Sequence, residues 1–268
     1  MNTTEDQDPG NGRGLAKEQR RRVIRSLVES QSQGNVAELA RRFRVSEVTI
    51  RSDLAALANV GALVRVHGGA LPPGDGEELP LTVKQTLYHA EKVRIASAAA
   101  GLIQDGETVI LDSGTTTAEI ARQIRGLKLR SLNVITNALN IAVVLANAHH
   151  VNLIIPGGVL RRKSWSLAGP QAEQALRDLQ ADRLFLGVDS LDPEIGVMTP
   201  DVLEAQLNAL MIEVSQEVVA VADASKFGRR SLSVIAGVER LHKLVTDTSA
   251  SPQAVEALRA RGVEVILV

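Results

Sequence analysis

The chain has 268 residues and a formal net charge of −1, with 44% hydrophobic, 23% charged and only 2% aromatic residues. That length suits two domains and an aliphatic core, of the kind that packs helices on a parallel sheet, and it lacks the aromatic platforms that bind nucleic acid by base stacking. The absence of cysteine excludes disulfides, thiolate metal sites, iron–sulfur clusters and cysteine nucleophiles, and no cofactor or metal is expected.

Residues 1–14 are polar, rich in Gly and Asp and without an apolar signal core, and read as a disordered tail on a cytoplasmic protein. No apolar run approaches the roughly 18 residues of a membrane span. Between Arg13 and His67, eleven Lys/Arg stand against five Asp/Glu, a net +6 that leaves about −7 elsewhere. A basic segment on an acidic remainder suggests a nucleic-acid module, although a solvated basic helix face has the same composition.

Lys17 to Ser30 reads as a helix with Val23, Ile24, Leu27 and Val28 on one face. Gly34 stops it and Asn35 caps a second helix, whose apolar stripe is Val36, Leu39, Ala40 and Phe43. After a break at Arg44-Val45, Ser46 caps a third helix with Val48, Ile50, Leu54 and Leu57 available for burial, and Gly61 ends it. Two short helices joined by a tight turn form the helix-turn-helix pattern. Residues 61–70 alternate apolar and basic residues before a double Gly and read as a two-stranded wing with Arg65 and His67 facing out. The start of the third helix would enter a major groove, bringing Ser46, Glu47, Thr49 and Arg51 to base edges. Arg51 suits guanine, and Glu47 suits either a cytosine amino group or a capping role. Arg20, Arg21, Arg42, Arg44, Arg65 and His67 are expected to meet phosphates, which adds affinity rather than sequence choice.

The run from Val45 to Leu54 (VSEVTIRSDL), followed by Gly61 and by Arg65 to Ala70 (RVHGGA), resembles the DNA-binding end of the DeoR family of sugar-metabolism repressors. Ser52 departs from that pattern, where a second basic residue is common.

Leu71 to Pro80 holds three prolines, two glycines and three acids and reads as a hinge, so residues 15–71 are expected as the DNA-binding domain, 72–88 as linker and 89–268 as a sensor domain. A helix is expected from about His89 to Ile103. Strands then follow at residues 108–111, 132–136, 151–155, 183–188, 217–222, 243–246 and 263–267. Helices between them are expected at 115–124, 137–146, 171–179, 200–215 and 252–260. The alternation predicts a mostly parallel α/β sheet covered on both faces. Ligands of such sheets bind beyond the carboxyl ends of strands. The first such loop, Asp112-Ser113-Gly114-Thr115-Thr116-Thr117, opens a helix with hydroxyls and backbone N–H groups that suit a phosphate, or forms an ordinary N-cap that binds nothing. Thr136 and Asn137, Gly157 and Gly158, Asp189, and Lys226 lie at the same edge. Asp189 is read as a free carboxylate for sugar hydroxyls, with a strand-end cap as the plain alternative for it and for Asp223.

A second resemblance covers residues 91–247. Glu91 to Ala96, Leu111 to Thr117, Thr136 to Ala142, Phe185 to Asp189, Glu204-Ala205 and Ser225 to Gly228 are similar to the effector domain of the same family, with a tilt toward its amino-sugar or galactosamine subgroup. The resemblance implies a domain like ribose-5-phosphate isomerase, and a repressor of carbohydrate catabolism genes released from operator DNA by a phosphorylated sugar. It places Ser113 to Thr117 on the phosphate, and Asp112, Asn137, Gly157, Gly158, Asp189 and Lys226 around the sugar, with Glu204 nearby. Ser190 and Ala209 depart from the family pattern, which leaves open a changed or lost effector response. The competing reading is an isomerase with Asp112, Asp189 or Glu204 as base and Lys226 as electrophile. One wing module binds modestly, so a homo-oligomer on repeated half-sites is expected.

Overall fold

The computed structural model describes residues 17–31, 34–59, 62–66, 68–71 and 80–268. Contacts divide the chain into two compact units, Met1–Gly74 and Asp75–Val268.

The first unit runs α1 (Lys17–Gln31), β1 (Gly34–Asn35), α2 (Val36–Phe43), α3 (Glu47–Asn59), β2 (Val64–Val66) and β3 (Gly69–Leu71). Its core is aliphatic, with Ile24, Val28, Leu39, Ile50, Leu54 and Leu63 buried around Phe43. Asn35 caps α2 by accepting from the N–H groups of Ala37 and Glu38. Ser46 caps α3 by accepting from the N–H of Thr49 at 3.2 Å. Arg44 turns the chain between these helices in the left-handed conformation, at φ 52°. The wing has three strands rather than the expected two. Strand β3 pairs antiparallel with β2 and, on its other side, with β1, the residue pair just ahead of α2. Val48 also departs from expectation. It is 73% exposed, because Ile50, Leu54 and Leu57 define the inner stripe of α3 and Val48 lies well off that stripe.

Asp53 is the polar group that locks this unit. It is 1% exposed, and its two oxygens accept from Arg20 Nε at 2.6 Å and Arg21 Nε at 2.9 Å. The pairing fixes α1 on α3, so these arginines have a structural task beside the phosphate contact expected of them. Their Nε groups are committed to a buried carboxylate 32 and 33 residues away.

The second unit runs α4 (Leu81–Lys84), α5 (His89–Ala100), β4 (Thr108–Leu111), α6 (Thr115–Ile124), β5 (Leu132–Thr136), α7 (Leu139–Leu145), β6 (Val151–Ile154), β7 (Val159–Arg161), β8 (Ser166–Ala168), α8 (Pro170–Arg177), β9 (Ala181–Gly187), β10 (Ser190–Asp192), β11 (Gly196–Thr199), α9 (Val202–Glu213), β12 (Ser215–Val221), β13 (Ser233–Ala236), β14 (Lys243–Thr246), α10 (Pro252–Arg259) and β15 (Glu264–Leu267). Seven strands form one parallel sheet in the order β15-β14-β12-β9-β4-β5-β6. Alternate residues of each strand enter opposite cores. Leu184 and Leu186 face the side of α8, α9 and α10, while Phe185 faces the side of α5, α6 and α7. The chain leaves β4 outward through β5 and β6, then returns to lay β9 against the other side of β4. That reversal is the switch point at which such sheets hold ligands.

Two small antiparallel sheets were not expected: the β7-β8 hairpin and the β10-β11-β13 sheet. Their strands are three or four residues long, too short to show alternation. The chain's single tryptophan, Trp165, sits in the β7-β8 turn at φ 55° and is 48% exposed. The expected linker is also corrected. Residues 80–88 belong to the second unit, with Leu81 4% exposed and its N–H donating to Lys163 O at 2.8 Å. Residues 72–79 and the N-terminal tail lie outside the described residues.

Replacing Asp53 by Ala should lower the stability of the full chain's first unfolding transition by about 3 kcal/mol, since it leaves two guanidinium groups without their buried partner. Urea denaturation followed by circular dichroism checks this, and a loss under ~0.5 kcal/mol would show that the pair does not lock the unit.

Candidate functional site

In the first unit, Ser46, Glu47, Thr49 and Arg51 share the first turns of α3. Arg51 Nη2 donates to Glu47 Oε2 at 2.8 Å, and about half of each side chain is exposed. Ser46 and Thr49 join their hydroxyls at 2.9 Å. Val48 stands among these polar groups as the one exposed large apolar side chain of α3 among the described residues. Arg42, Arg44 and Arg65 are exposed, on α2, in the turn after it and on β2. His67 lies outside the described residues.

In the second unit, a pocket opens at the switch point. Leu81, Lys84, Asp112, Ser113, Gly114, Thr115, Thr116, Ser164, Gly187, Val188, Asp189, Glu204 and Lys226 line it. Its floor depends on a close approach between two loops. A Cβ on Gly114 would lie 3.1 Å from Gly187 Cα, and one on Gly187 would lie 3.1 Å from Gly114 Cα, so a side chain at either position would crowd the opposite loop. Asp112 ties the loops together. One carboxylate oxygen accepts from Gly114 N–H at 2.9 Å and from the Thr117 hydroxyl at 2.8 Å, and the other accepts from Gly187 N–H at 2.9 Å. Burial pushes the Asp112 carboxyl up to about 7, against the pull of the Gly114 and Thr117 bonds.

Above that brace, α6 presents its first turn, whose N–H groups have no intrahelical acceptor. Ser113 Oγ is buried at the pocket wall without a hydrogen-bond partner. Lys84 Nζ donates to both oxygens of Asp189, at 2.9 and 2.8 Å, and Lys226 Nζ stands 3.9 Å from the same carboxylate. Burial raises the Asp189 carboxyl, but Lys84 and then Lys226 outweigh it and hold it below the ordinary range. Glu204 goes the other way. Burial and the charge of Asp189 raise it, opposed by Arg161, whose Nη1 donates to Glu204 Oε2 at 2.6 Å. Arg161 also meets Asp201 at 3.0 Å and the hydroxyl of Ser164 at 3.0 Å. Behind the pocket, Lys92 is 3% exposed, and its Nζ donates to the carbonyls of Lys84 and Leu87 at 2.6 and 2.7 Å. Burial lowers its ammonium to about 8, while Asp223 opposes the shift.

Of the residues expected at the effector, the pocket gathers Asp112, Ser113, Gly114, Thr115, Thr116, Asp189, Glu204 and Lys226. Five do not line it. Thr117 is fully buried, and its hydroxyl is committed to Asp112. Thr136 caps Ala138 N–H at 3.2 Å, and Asn137 Nδ2 holds Leu167 O at 2.9 Å, because the β7-β8 hairpin covers that part of the edge. Gly157 and Gly158 serve the turn into that hairpin, with positive φ, and a Cβ on Gly158 would meet Ala168 O at 2.7 Å. Asp189 is not a free carboxylate, since Lys84 holds it. Asp223 is a cap, accepting from Ser225 N–H at 3.0 Å. Ser190, one of the departures, joins its hydroxyl to that of Ser231 at 2.6 Å. Lys84, Arg161 and Ser164 were missed. Lys84 fell in the segment read as linker, and the spacing of Leu81, Lys84, Gln85 and Tyr88 is the signal that a helical turn begins there.

The DeoR-like helix-turn-helix domain matches residues 20–73, and the DeoR C terminal sensor domain matches residues 88–248. A protein of Escherichia coli O157:H7 named for repression of the aga operon is 43% identical over 262 residues, covering 97% of each chain. GlpR of Haloferax volcanii is 36% identical over 94% of this chain and 98% of its own. The glycerol-3-phosphate regulon repressor of Escherichia coli K12 is 30% identical over 91% of this chain and 96% of its own. Among solved structures, ribose 5-phosphate isomerase A from Methanocaldococcus jannaschii aligns at 18% identity and TM-score 0.38, over 51% of this chain and 53% of its own. Translation initiation factor eIF-2B from Pyrococcus horikoshii aligns at 19% identity and TM-score 0.42, over 81% and 73%. Both halves of the family's architecture are matched, and named transcriptional repressors align along nearly the whole length, so this chain belongs to the DeoR family of transcriptional regulators.

Proposed function

We propose that the chain represses carbohydrate-catabolism genes by holding operator DNA with its first unit, and that a phosphorylated sugar entering the pocket of the second unit releases it. The observation that carries the sensing half is the convergence at the switch point. A helix N-terminus, a buried hydroxyl without a partner at Ser113, and the ammonium groups of Lys84 and Lys226 line one pocket, and together they suit a phosphate. Glu204 and Ser164, both held by Arg161, supply polar groups for sugar hydroxyls in the same pocket. For DNA, Ser46 and Arg51 present donors at the start of α3, and Val48 presents a methyl surface that suits the 5-methyl group of thymine. Because a single wing module grips weakly, the working form is a homo-oligomer on paired half-sites, acting beside the chromosome in the cytoplasm.

The isomerase reading finds little support in the same geometry. Each candidate base is already engaged: Asp112 by two backbone N–H groups, Asp189 by Lys84 and Glu204 by Arg161. We therefore take the site as a sensor and not a catalyst.

A thermal-shift panel of sugar phosphates, including galactosamine 6-phosphate and ribose 5-phosphate, tests the sensing half, because a binder present at about 100 times its Kd stabilises by ~2.7 kcal/mol. Lys226→Met and Thr115→Ala should abolish most of that shift, and in gel-shift titrations they should remain on DNA at effector concentrations that strip the wild type. Equal shifts in all three proteins would remove the phosphate assignment.

Selection of duplexes from a random pool tests the reading head. Arg51→Ala should lose preference for a guanine, a change of roughly 1–3 kcal/mol at that position. Val48→Asp should lose preference for a thymine, because its charge cannot be set against the 5-methyl group. An unchanged consensus for both variants contradicts the assignment of α3.

Rising pH makes the pocket more negative twice over, as Asp112 ionises through about 7 and Lys92 loses its proton through about 8. Anion binding therefore takes up protons. Sulfate, which does not itself titrate in this range, should bind several-fold more weakly at pH 9 than at pH 6. Lys92→Met should flatten the upper part of that profile, and isothermal titration in buffers of different ionisation heat reads the proton uptake directly.

A further inference from the structure

We infer that Lys84 is a displaceable counter-ion of the effector pocket, and that an arriving anion takes its ammonium from Asp189 and thereby acts on the segment by which the chain enters the sensor unit. This rests on the reading of the pocket as an anion site and names its regulation. Lys84 lies in neither matched domain, since those cover residues 20–73 and 88–248.

Three observations carry the inference. The first is the pairing itself. Lys84 Nζ reaches both Asp189 oxygens, at 2.9 and 2.8 Å, and each side chain is 20% exposed, so the pair is shielded yet borders the pocket. Asp189 keeps a second cation, Lys226 at 3.9 Å, and does not become an uncompensated charge when Lys84 leaves. The second is that Lys84 shares the pocket with Ser113, Gly114, Thr115 and Thr116. A phosphate dianion at that turn attracts the ammonium with twice the charge of the carboxylate it replaces. The third is mechanical. The Lys84 main chain is not loose. Its N–H donates to Pro80 O at 3.0 Å, and its carbonyl accepts from Lys92 Nζ at 2.6 Å. Leu81, one turn earlier, is buried and bonded to Lys163 O. On this inference a change of partner at Nζ acts on this anchored turn, and α4 begins seven residues after Gly74, where the first compact unit ends.

The test is a double-mutant cycle on the full chain, with inorganic phosphate as probe in calorimetry and hydrogen exchange read on residues 80–88. Asp189→Asn removes the competing carboxylate and should tighten phosphate about tenfold, a coupling of ordinary size for a close charge pair. Lys84→Met should weaken phosphate by a similar factor, and in the double variant Asp189→Asn should tighten it far less, through the carboxylate's direct repulsion and its hold on Lys226 alone. Phosphate should change amide exchange at Leu81, Lys84 and Gln85 in the wild type and in Lys84→Arg, but not in Lys84→Met. Additive effects in the cycle, weaker phosphate binding by folded Asp189→Asn, or an exchange response that survives in Lys84→Met would each overturn the inference while leaving the pocket reading in place. A wild type that binds neither inorganic phosphate nor any sugar phosphate overturns the pocket reading, and this inference with it.

Discussion

The second unit depends on one contact: two glycines touching across the gap between neighbouring parallel strands, with a buried carboxylate bridging them. Gly114 follows β4 and Gly187 ends β9, and Asp112 accepts a backbone N–H from each. Parallel strands diverge at a switch point and leave a crevice. Without the brace the two loops would be free to part, and the first turn of α6 would have no fixed aim. The cost is a carboxyl group held out of water, visible in its raised protonation range. Polar backbone groups inside the molecule need partners, and here the partner of two of them also sets the pocket floor.

Charge in the pocket is arranged in layers. Lys84 and Lys226 face Asp189 across the opening, Arg161 faces Glu204 on the far wall, and Lys92 lies behind with its proton held loosely. Each cation has a resident carboxylate or carbonyl, so the pocket carries little unbalanced charge. On the proposed reading, an anion would enter by exchange of partners, and its binding would be coupled to the positions of the side chains that change partners.

Much of this was legible from local pattern. Strands 108–111, 132–136 and 243–246 and the helix at 115–124 have the bounds read from alternation and turn residues. The caps at Asn35 and Ser46 follow from residue type at a helix start. The rule that ligands sit beyond strand ends points to the Asp112 to Thr116 loop, and that loop lines a pocket in the fold. What escaped depends on distance along the chain. No local period reveals that Arg20 and Arg21 belong to Asp53, or that Lys84 belongs to Asp189 105 residues later. That Asn137, Gly157 and Gly158 lie outside the pocket lining escaped for the same reason. The three-residue strands of the β7-β8 hairpin lie over that edge of the sheet, and nothing in their composition announces it. Val48 was misjudged because an apolar residue in a helix is ordinarily read as core, whereas here the inner stripe was already complete.

The β7-β8 hairpin also has a practical side. Its turn carries Trp165, while Arg161 and Ser164 beside it hold the Glu204 wall of the pocket. The molecule thus comes with a lone indole emitter mounted on the element that borders its own pocket. Its emission colour and its quenching by dissolved iodide report on one hairpin and nothing else, so the state of the cleft can be followed optically without attaching a dye.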